Sequence, residues 1–262
     1  MSSEIDERLK FAHRLADAAG AAIRPFFRQP MHVTNKDPGR FDPVTEADRA
    51  AEKIIRERIQ KAYPEDGILG EELGEVKGSN EFRWVIDPID GTRAFIAGLP
   101  LWGTLIALEE NEAPVLGLLD QPFLHERFIG YSGATEITDG HGTRPLKARV
   151  CAHIADAVIC TTHPRAHFDE TQSALFARIE KEALLSRYGG DCYAYAMLAM
   201  GFVDLVMEAN LSPWDVAAIV PIIEGAGGVA TDWHGGLAHR GGSMLAAGDT
   251  RVHAEALALI RS

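Results

Sequence analysis

WVIDPIDGT, residues 84–92, begins as a buried strand and ends as something else. Trp84, Val85 and Ile86 carry no charge, the pattern of a strand covered on both faces. Asp87 and Asp90 follow, with Pro88 and Ile89 between them and Gly91 and Thr92 after. Carboxylates this close repel unless a cation sits between them. Pro88 fixes the backbone so that the two converge, and the Ile89 carbonyl between them adds a neutral ligand. Gly91 permits close approach, and a short helix from Thr92 would aim its first N–H groups at an anion. Taken alone, such an aspartate pair is more often a pair of loop or capping residues.

The fragment gains weight from its company. Glu71 in GEELG and Asp215 in SPWDVAA are two further acids placed where a strand ends or a helix begins. Hard oxygen donors without neighbouring cysteine or histidine suit Mg²⁺ or Mn²⁺ rather than zinc. Four such acids around a helix N-terminus match the layout of two-metal phosphoester hydrolysis, in which a phosphate bridges the ions and the helix end.

The rest of the chain is consistent with a small-molecule enzyme. Its 262 residues are enough to bury roughly three quarters of the unfolded surface, as one large domain or two joined halves. The three cysteines, Cys151, Cys160 and Cys192, form no CxxC pair, which is thiol usage expected of a reducing cytoplasm. MSSEIDERLK lacks the apolar core of a signal peptide and no long apolar run occurs, so neither export nor membrane insertion is expected. A net charge of −12 argues against nucleic acid as a partner, although bound metals reverse the field locally for a small phosphate.

Helical spacing from Ile5 through Leu15 to Phe26 predicts an amphipathic helix over residues 4–28, followed by a polar loop over 34–44. Thr45 with Asp48 three residues on reads as a capping box for a helix carrying Ile54, Ile55 and Ile59, which GILGEELGE ends. Strands are expected at 83–86, 101–109, 114–120 and 127–131, with ENEA as a hairpin turn. Polar composition near 140–149 marks a boundary between an N-terminal half, 1–145, with Glu71, Asp87 and Asp90, and a C-terminal half, 146–262, with Asp215. In the latter, strands at 157–161, 203–208, GGVATD and MLAAG alternate with helices at 169–183, CYAYAMLAM, from Asp215, and at the C-terminus. Antiparallel strands first and alternation later predict an α/β (α+β) layered sandwich.

WVIDPIDGTRAF, with GEELG before it and PWDVAAIVPIIEGAGG after it, resembles the inositol monophosphatase-like family of Mg²⁺-dependent phosphatases. The resemblance runs from Lys36 and PVTEAD to GGSMLAAG, and implies an αβαβα sandwich and a homodimer. It places metal ligands at Glu71, Asp87, the Ile89 carbonyl, Asp90 and Asp215, for two or three Mg²⁺ ions per site. It also gives catalytic roles to Thr92, Asp48 and Glu71, with Thr92 orienting the attacking water and Asp48 associated with it. The Gly91 and Thr92 N–H groups would hold the phosphate. Many members carry EAGG where this chain has GAGG at 225–228, with Glu224 one place earlier; no metal ligand is affected.

DGTRAFIAGLPLWGTLIAL, YGGDCYAYAML and VMEANLSPWD resemble the histidinol-phosphatase branch. The implied substrate is L-histidinol phosphate, with Arg93, Asp191 and Glu208 in the substrate pocket. Two acids suit a leaving group bearing an ammonium and an imidazole. Asp191 reads equally as the N-cap of CYAYAM, Glu208 as a surface acid, and Arg93 as the partner of a phosphate or of a nearby acid. Trp102 and Tyr193 read either as stacking partners for an imidazole or as core. His163 and His167 have the spacing of a helical metal pair, but Pro164 intervenes and no third ligand is evident. His125, His141, His234 and His239 read as solvated loop residues, and Cys192 as a small core residue. Same-class alternatives are a myo-inositol-1-phosphate or a broad small-molecule phosphatase. A silent metal- or phosphate-binding homologue is the non-enzyme alternative, against which the intact acids and Thr92 argue.

Overall fold

The computed structural model describes residues 3–30, 33–36 and 43–262. The chain opens with α1 (Ser3–Ile23), whose inward stripe is Phe11, Ala12, Leu15, Ala16, Ala19 and Ile23. The predicted extension to residue 28 is instead a series of turns. Strands β1 (Val33–Asn35) and β2 (Pro43–Thr45) pair antiparallel where a polar loop was expected; residues 37–42 of that loop lie outside the described residues. The predicted capping box forms at the start of α2 (Glu46–Ala62), and Ala47, Ala51, Ile55 and Ile59 bury its four-residue stripe.

Seven of the next eight elements build most of one sheet: β3 (Gly67–Gly70), β4 (Gly74–Val76), β5 (Phe82–Asp90), the short helix α3 (Thr92–Ile96), β6 (Gly103–Glu110), β7 (Ala113–Gln121), β8 (Glu126–Tyr131) and β9 (Ala134–Asp139). With β10 (Gly142–Pro145), the strand order is β10-β9-β8-β7-β6-β5-β3-β4. Every neighbouring pair is antiparallel except β3 with β5. The ENEA turn joins β6 to β7 through Asn111 and Glu112 at φ 51° and 64°, the left-handed pair of a tight hairpin.

The chain then gives β11 (Val158–Thr161), α4 (Pro164–His167), α5 (Glu170–Glu182), β12 (Leu185–Tyr188), α6 (Asp191–Ala199), β13 (Leu205–Leu211), α7 (Pro213–Val216), α8 (Ile219–Gly225), β14 (Val229–Thr231), β15 (Gly242–Ala247) and α9 (Thr250–Arg261). The second sheet has the order β12-β11-β13-β15-β14. The single helix expected from Asp215 is two: α7 starts at Pro213, a favoured first helical position, and α8 follows after Ala217 and Ala218.

Five layers result. Helices α1 and α2 cover one face of the large sheet, α6 and α8 fill the space between the sheets, and α5 and α9 cover the far side of the small one. Three apolar clusters occupy these interfaces, the central one joining Leu105 and Phe128 to Leu198, Ile219 and Val206. This is the αβαβα sandwich anticipated above. The approach of α8 to the large sheet depends on Gly117 and Gly130, where an added Cβ would stand 1.9 Å from the Ala218 carbonyl oxygen and 2.2 Å from Pro221 backbone. Backbone cannot yield as a side-chain tip can, and overpacking typically costs about 1–3 kcal/mol or more. Gly117→Ala is therefore expected to lower Tm by ~4 °C or more in differential scanning calorimetry. An unchanged Tm would show that α8 shifts freely.

Candidate active site

Side chains alternate along a strand, so residues three apart normally face opposite sides. In β5 they do not: Asp87 pairs with Leu105 and Asp90 with Gly103, three steps on one strand against two on the other. This bulge brings both carboxylates to one face. Pro88 contributes no N–H to the interrupted ladder, and its carbonyl accepts from Thr104 Oγ1 at 2.8 Å. The Ile89 N–H donates to Asp87 Oδ1 at 3.0 Å.

Asp215 arrives from the start of α7, held by the Ser212 N–H at 2.7 Å. Oxygens of Asp87, Asp90 and Asp215 lie within 4.8 Å of one another. Burial is the main cause that raises all three carboxyls, Asp215 to about 7 and the others well above the usual range. The nearby charges of Glu71 on Asp87 and of Asp191 on Asp90 add to this. Buried like charges cannot all ionise without a counter-ion, so the oxygen donor set fits a hard divalent cation.

Glu71 borders the same cleft but is not part of that close trio. Its Oε1 receives the Lys36 ammonium at 2.8 Å, and the same ammonium reaches Glu72 Oε1 at 2.9 Å. Asp90 also accepts the Cys192 N–H at 2.6 Å, thereby satisfying a free donor in the first turn of α6. Cys192 is a buried core residue, as expected.

Gly91, at φ 85°, is the N-cap of α3 and turns the chain from the bulge into that helix. Thr92 Oγ1 donates to the Ile89 carbonyl at 3.0 Å and reaches Asp48 Oδ1 at 3.5 Å. The other Asp48 oxygen accepts from the Thr45 N–H and hydroxyl in the capping box. Burial raises the Asp48 carboxyl to about 6 despite these donors.

A cleft of about 380 Å³ joins the acids to Arg93, His167, Asp191, Tyr195, Glu208 and Asn210. Asp191 is not an N-cap. Gly190 takes that position without any side-chain cap, and Asp191 is the first helical residue at φ 44°. Nor is Glu208 a surface acid: it is 3% exposed, inside β13, with Oε1 accepting from the Thr162 N–H and hydroxyl at 2.7 Å each. Burial raises Asp191 to about 6, opposed by Arg93, and raises Glu208 to about 8.

The aromatic candidates lie elsewhere. Trp102 packs in the core against Phe27 and Phe95, and Tyr193 donates to Glu126 Oε2 at 2.5 Å on the side of Phe128. Tyr195, not singled out from the sequence, lines the cleft instead. It sits four residues after Asp191, hence on the same helix face, which is the signal that could have found it. Its buried hydroxyl has no hydrogen-bond partner among the described residues. His163 and His167 form no metal pair: the His163 ring accepts from the Ala166 N–H, while His167 Nε2 meets Arg93 Nη1 at 2.5 Å. His239 is buried rather than solvated.

The family model described as the inositol monophosphatase family matches residues 4–262. The bifunctional phosphatase IMPL2 of Arabidopsis thaliana chloroplasts is 41% identical over 97% of this chain and 75% of that protein. A histidinol-phosphatase from Chlorobaculum parvum is 38% identical over 87% of this chain and 86% of its own. A solved inositol monophosphatase from Zymomonas mobilis superposes with a TM-score of 0.87 at 40% identity, covering 100% of both chains.

Proposed function

This chain belongs to the inositol monophosphatase family, and on that premise we propose that it hydrolyses L-histidinol phosphate to L-histidinol and phosphate with Mg²⁺. It is a phosphoric monoester hydrolase with a phosphate ester as substrate. What most supports the choice of ester is the pair of acids, Asp191 and Glu208, on the wall of the cleft beyond the metal trio. Both carboxyls are raised by burial, a penalty that a cationic leaving group offsets and a neutral polyol does not. The similarity to a protein named histidinol-phosphatase points the same way. The likeness to a solved inositol monophosphatase favours myo-inositol 1-phosphate as a second reading.

In this reading, Asp87, Asp90, Asp215, Glu71 and the Ile89 carbonyl would hold two or three Mg²⁺ ions, with Mn²⁺ as a substitute. Bound there, the cations lower the pKa of water and offset charge on the phosphoryl and leaving oxygens. The Gly91 and Thr92 N–H groups receive the phosphate at the start of α3. Thr92 Oγ1, its one proton shared between the Ile89 carbonyl and Asp48, keeps a lone pair to accept a hydrogen bond from the attacking water and so fixes its direction. Arg93 and Asp191 face each other beside the leaving group, so the guanidinium tempers the acid and keeps it ionised at neutral pH. The same reading makes the enzyme a cytoplasmic homodimer with no nucleic-acid or membrane partner. No helix among the described residues is long and apolar enough to cross a membrane.

The test is a panel of histidinol phosphate, inositol 1-phosphate and a simple neutral ester. Wild type is expected to prefer histidinol phosphate in kcat/KM. Asp191→Asn and Glu208→Gln each narrow that preference by about 10- to 150-fold, the range of a charge-assisted hydrogen bond worth about 1.5–3 kcal/mol. Better turnover of inositol 1-phosphate by wild type would reject the substrate assignment and leave the phosphatase intact.

A further inference from the structure

One buried carboxylate outside the cleft is committed to the turn that carries Glu71. Glu52, in α2, is fully buried and does not border the cleft. Burying a carboxylate is costly unless an opposite charge and hydrogen bonds offset it, and here both do. Arg56 Nε, one turn further along the helix, donates to Glu52 Oε1 at 2.7 Å. The Leu73 N–H donates to the same oxygen at 3.1 Å, and the Glu72 N–H to Oε2 at 2.7 Å. Arg56 Nη2 donates in turn to the Gly74 carbonyl. Two side chains of α2 therefore hold the backbone of residues 72–74, directly after Glu71.

The other side of Glu71 is also fixed. Its N–H donates to the Ile86 carbonyl at 3.3 Å, one residue before Asp87. At Gly70 an added Cβ would stand 2.2 Å from Glu52 Oε1 and 2.8 Å from Arg56 Nη2, so the helix meets this turn at backbone distance. Asp48, Glu52 and Arg56 follow at four-residue spacing and share one buried face of α2. Asp48 in turn reaches Thr92 Oγ1 at the start of α3. A single helix face thus meets Thr92 through Asp48 and the Glu71 turn through Glu52.

We propose that Glu52 is a positioning residue for the cation site, fixing the Glu71 turn relative to Asp87 and Thr92 without touching cation or substrate. The role rests on the reading of Glu71 as a cation ligand. Glu52→Gln tests it at constant shape. The substitution sets an NH₂ donor against either the Glu72 N–H or the Arg56 and Leu73 donors, so the turn shifts or loses a bond. Glu52→Asp keeps the charge beside Arg56, and with it the fold, but falls a methylene short of the turn.

EDTA-stripped protein is titrated with Mg²⁺ by calorimetry, and Tm is recorded with and without the ion. Glu71→Gln and Asp66→Asn accompany the two Glu52 variants. Asp66 is a buried carboxylate beyond the opposite end of β3, paired with Arg8 at 2.7 Å, and controls for simple destabilisation. Loss of a group that orients a metal ligand typically costs about 10- to 100-fold in affinity or activity. Both Glu52 variants are expected to raise the Mg²⁺ Kd about tenfold or more, with kcat recovering at saturating Mg²⁺. Asp66→Asn should lower Tm and keep the wild-type Kd. A wild-type Kd in the Glu52 variants beside a weakened Glu71→Gln overturns the positioning role alone. Equal weakening in Asp66→Asn overturns it too, and leaves Glu52 a folding residue. If Glu71→Gln binds Mg²⁺ as wild type does, the reading of Glu71 fails, and the role of Glu52 fails with it.

Discussion

Protein stripped of divalent cations with EDTA is expected to release no measurable phosphate from any monoester, and added Mg²⁺ is expected to restore turnover. Among the described residues of the cleft, no side chain is a credible replacement nucleophile. Cys192 is buried and its thiol is pushed well above its usual range by burial and by Asp90. Asp87, Asp90 and Asp215 repel one another unless a cation joins them. The same electrostatics predict a stability signature independent of turnover. A carboxyl whose pKa is raised on folding holds its proton more tightly in the folded state. Without metal, its contribution is greatest below the unfolded value near 4 and is lost as pH rises through the folded value, about 7 for Asp215. Metal binding removes that loss, so the gain in Tm on adding Mg²⁺ should be larger at pH 8 than at pH 6. Full activity in excess EDTA, or a Mg²⁺ effect on Tm that shrinks with rising pH, would sink the metal reading.

The same carboxylates explain why so much of this site could be read from sequence. Asp87, Asp90 and Asp215 sit in short, dense words, and their convergence follows from local rules: a bulge around Pro88 and a serine-capped helix at Pro213. The Thr45–Asp48 capping box was equally local. The long strands β6 and β7 announced themselves by continuous apolar runs that are buried on both faces.

What escaped was set by tertiary context. Strand β3 is four residues long and reads as a glycine-rich break, because its pairing with β5 comes from elsewhere in the chain. β12 has no buried position and β10 lies at a sheet edge, so neither has the alternation that marks a strand. Glu208 is a charged residue inside an apolar strand, and only the Thr162 donors of a neighbouring strand end make its burial tolerable. Choosing Tyr195 over Tyr193 required knowing which face of α6 meets the cleft. The helix is apolar nearly all round, so its sequence leaves that undecided.

Thr92→Ala is expected to retain cation binding and lose about 100-fold or more in kcat. The residue has two separable parts. Its backbone N–H belongs to the first turn of α3 and survives the substitution, so the proposed phosphate contact stays. Its hydroxyl lies 3.0 Å from the Ile89 carbonyl and 3.5 Å from Asp48 Oδ1, and only this part is removed. Loss of one orienting group from a preorganised, water-poor site typically costs about 10²–10³ in rate. Stability should change little, because Gly91 rather than Thr92 is the N-cap of α3. Asp48→Asn is a weaker probe of the same pair, since it also disturbs the capping box of α2. The decisive measurement is therefore kcat for Thr92→Ala at saturating Mg²⁺, beside the Mg²⁺ dependence of Tm. A parallel loss of metal affinity would move Thr92 among the groups that shape the cation site through Ile89. Wild-type kcat would reduce it to a residue of the turn and leave the orientation of water to Asp48 and the carboxylates alone.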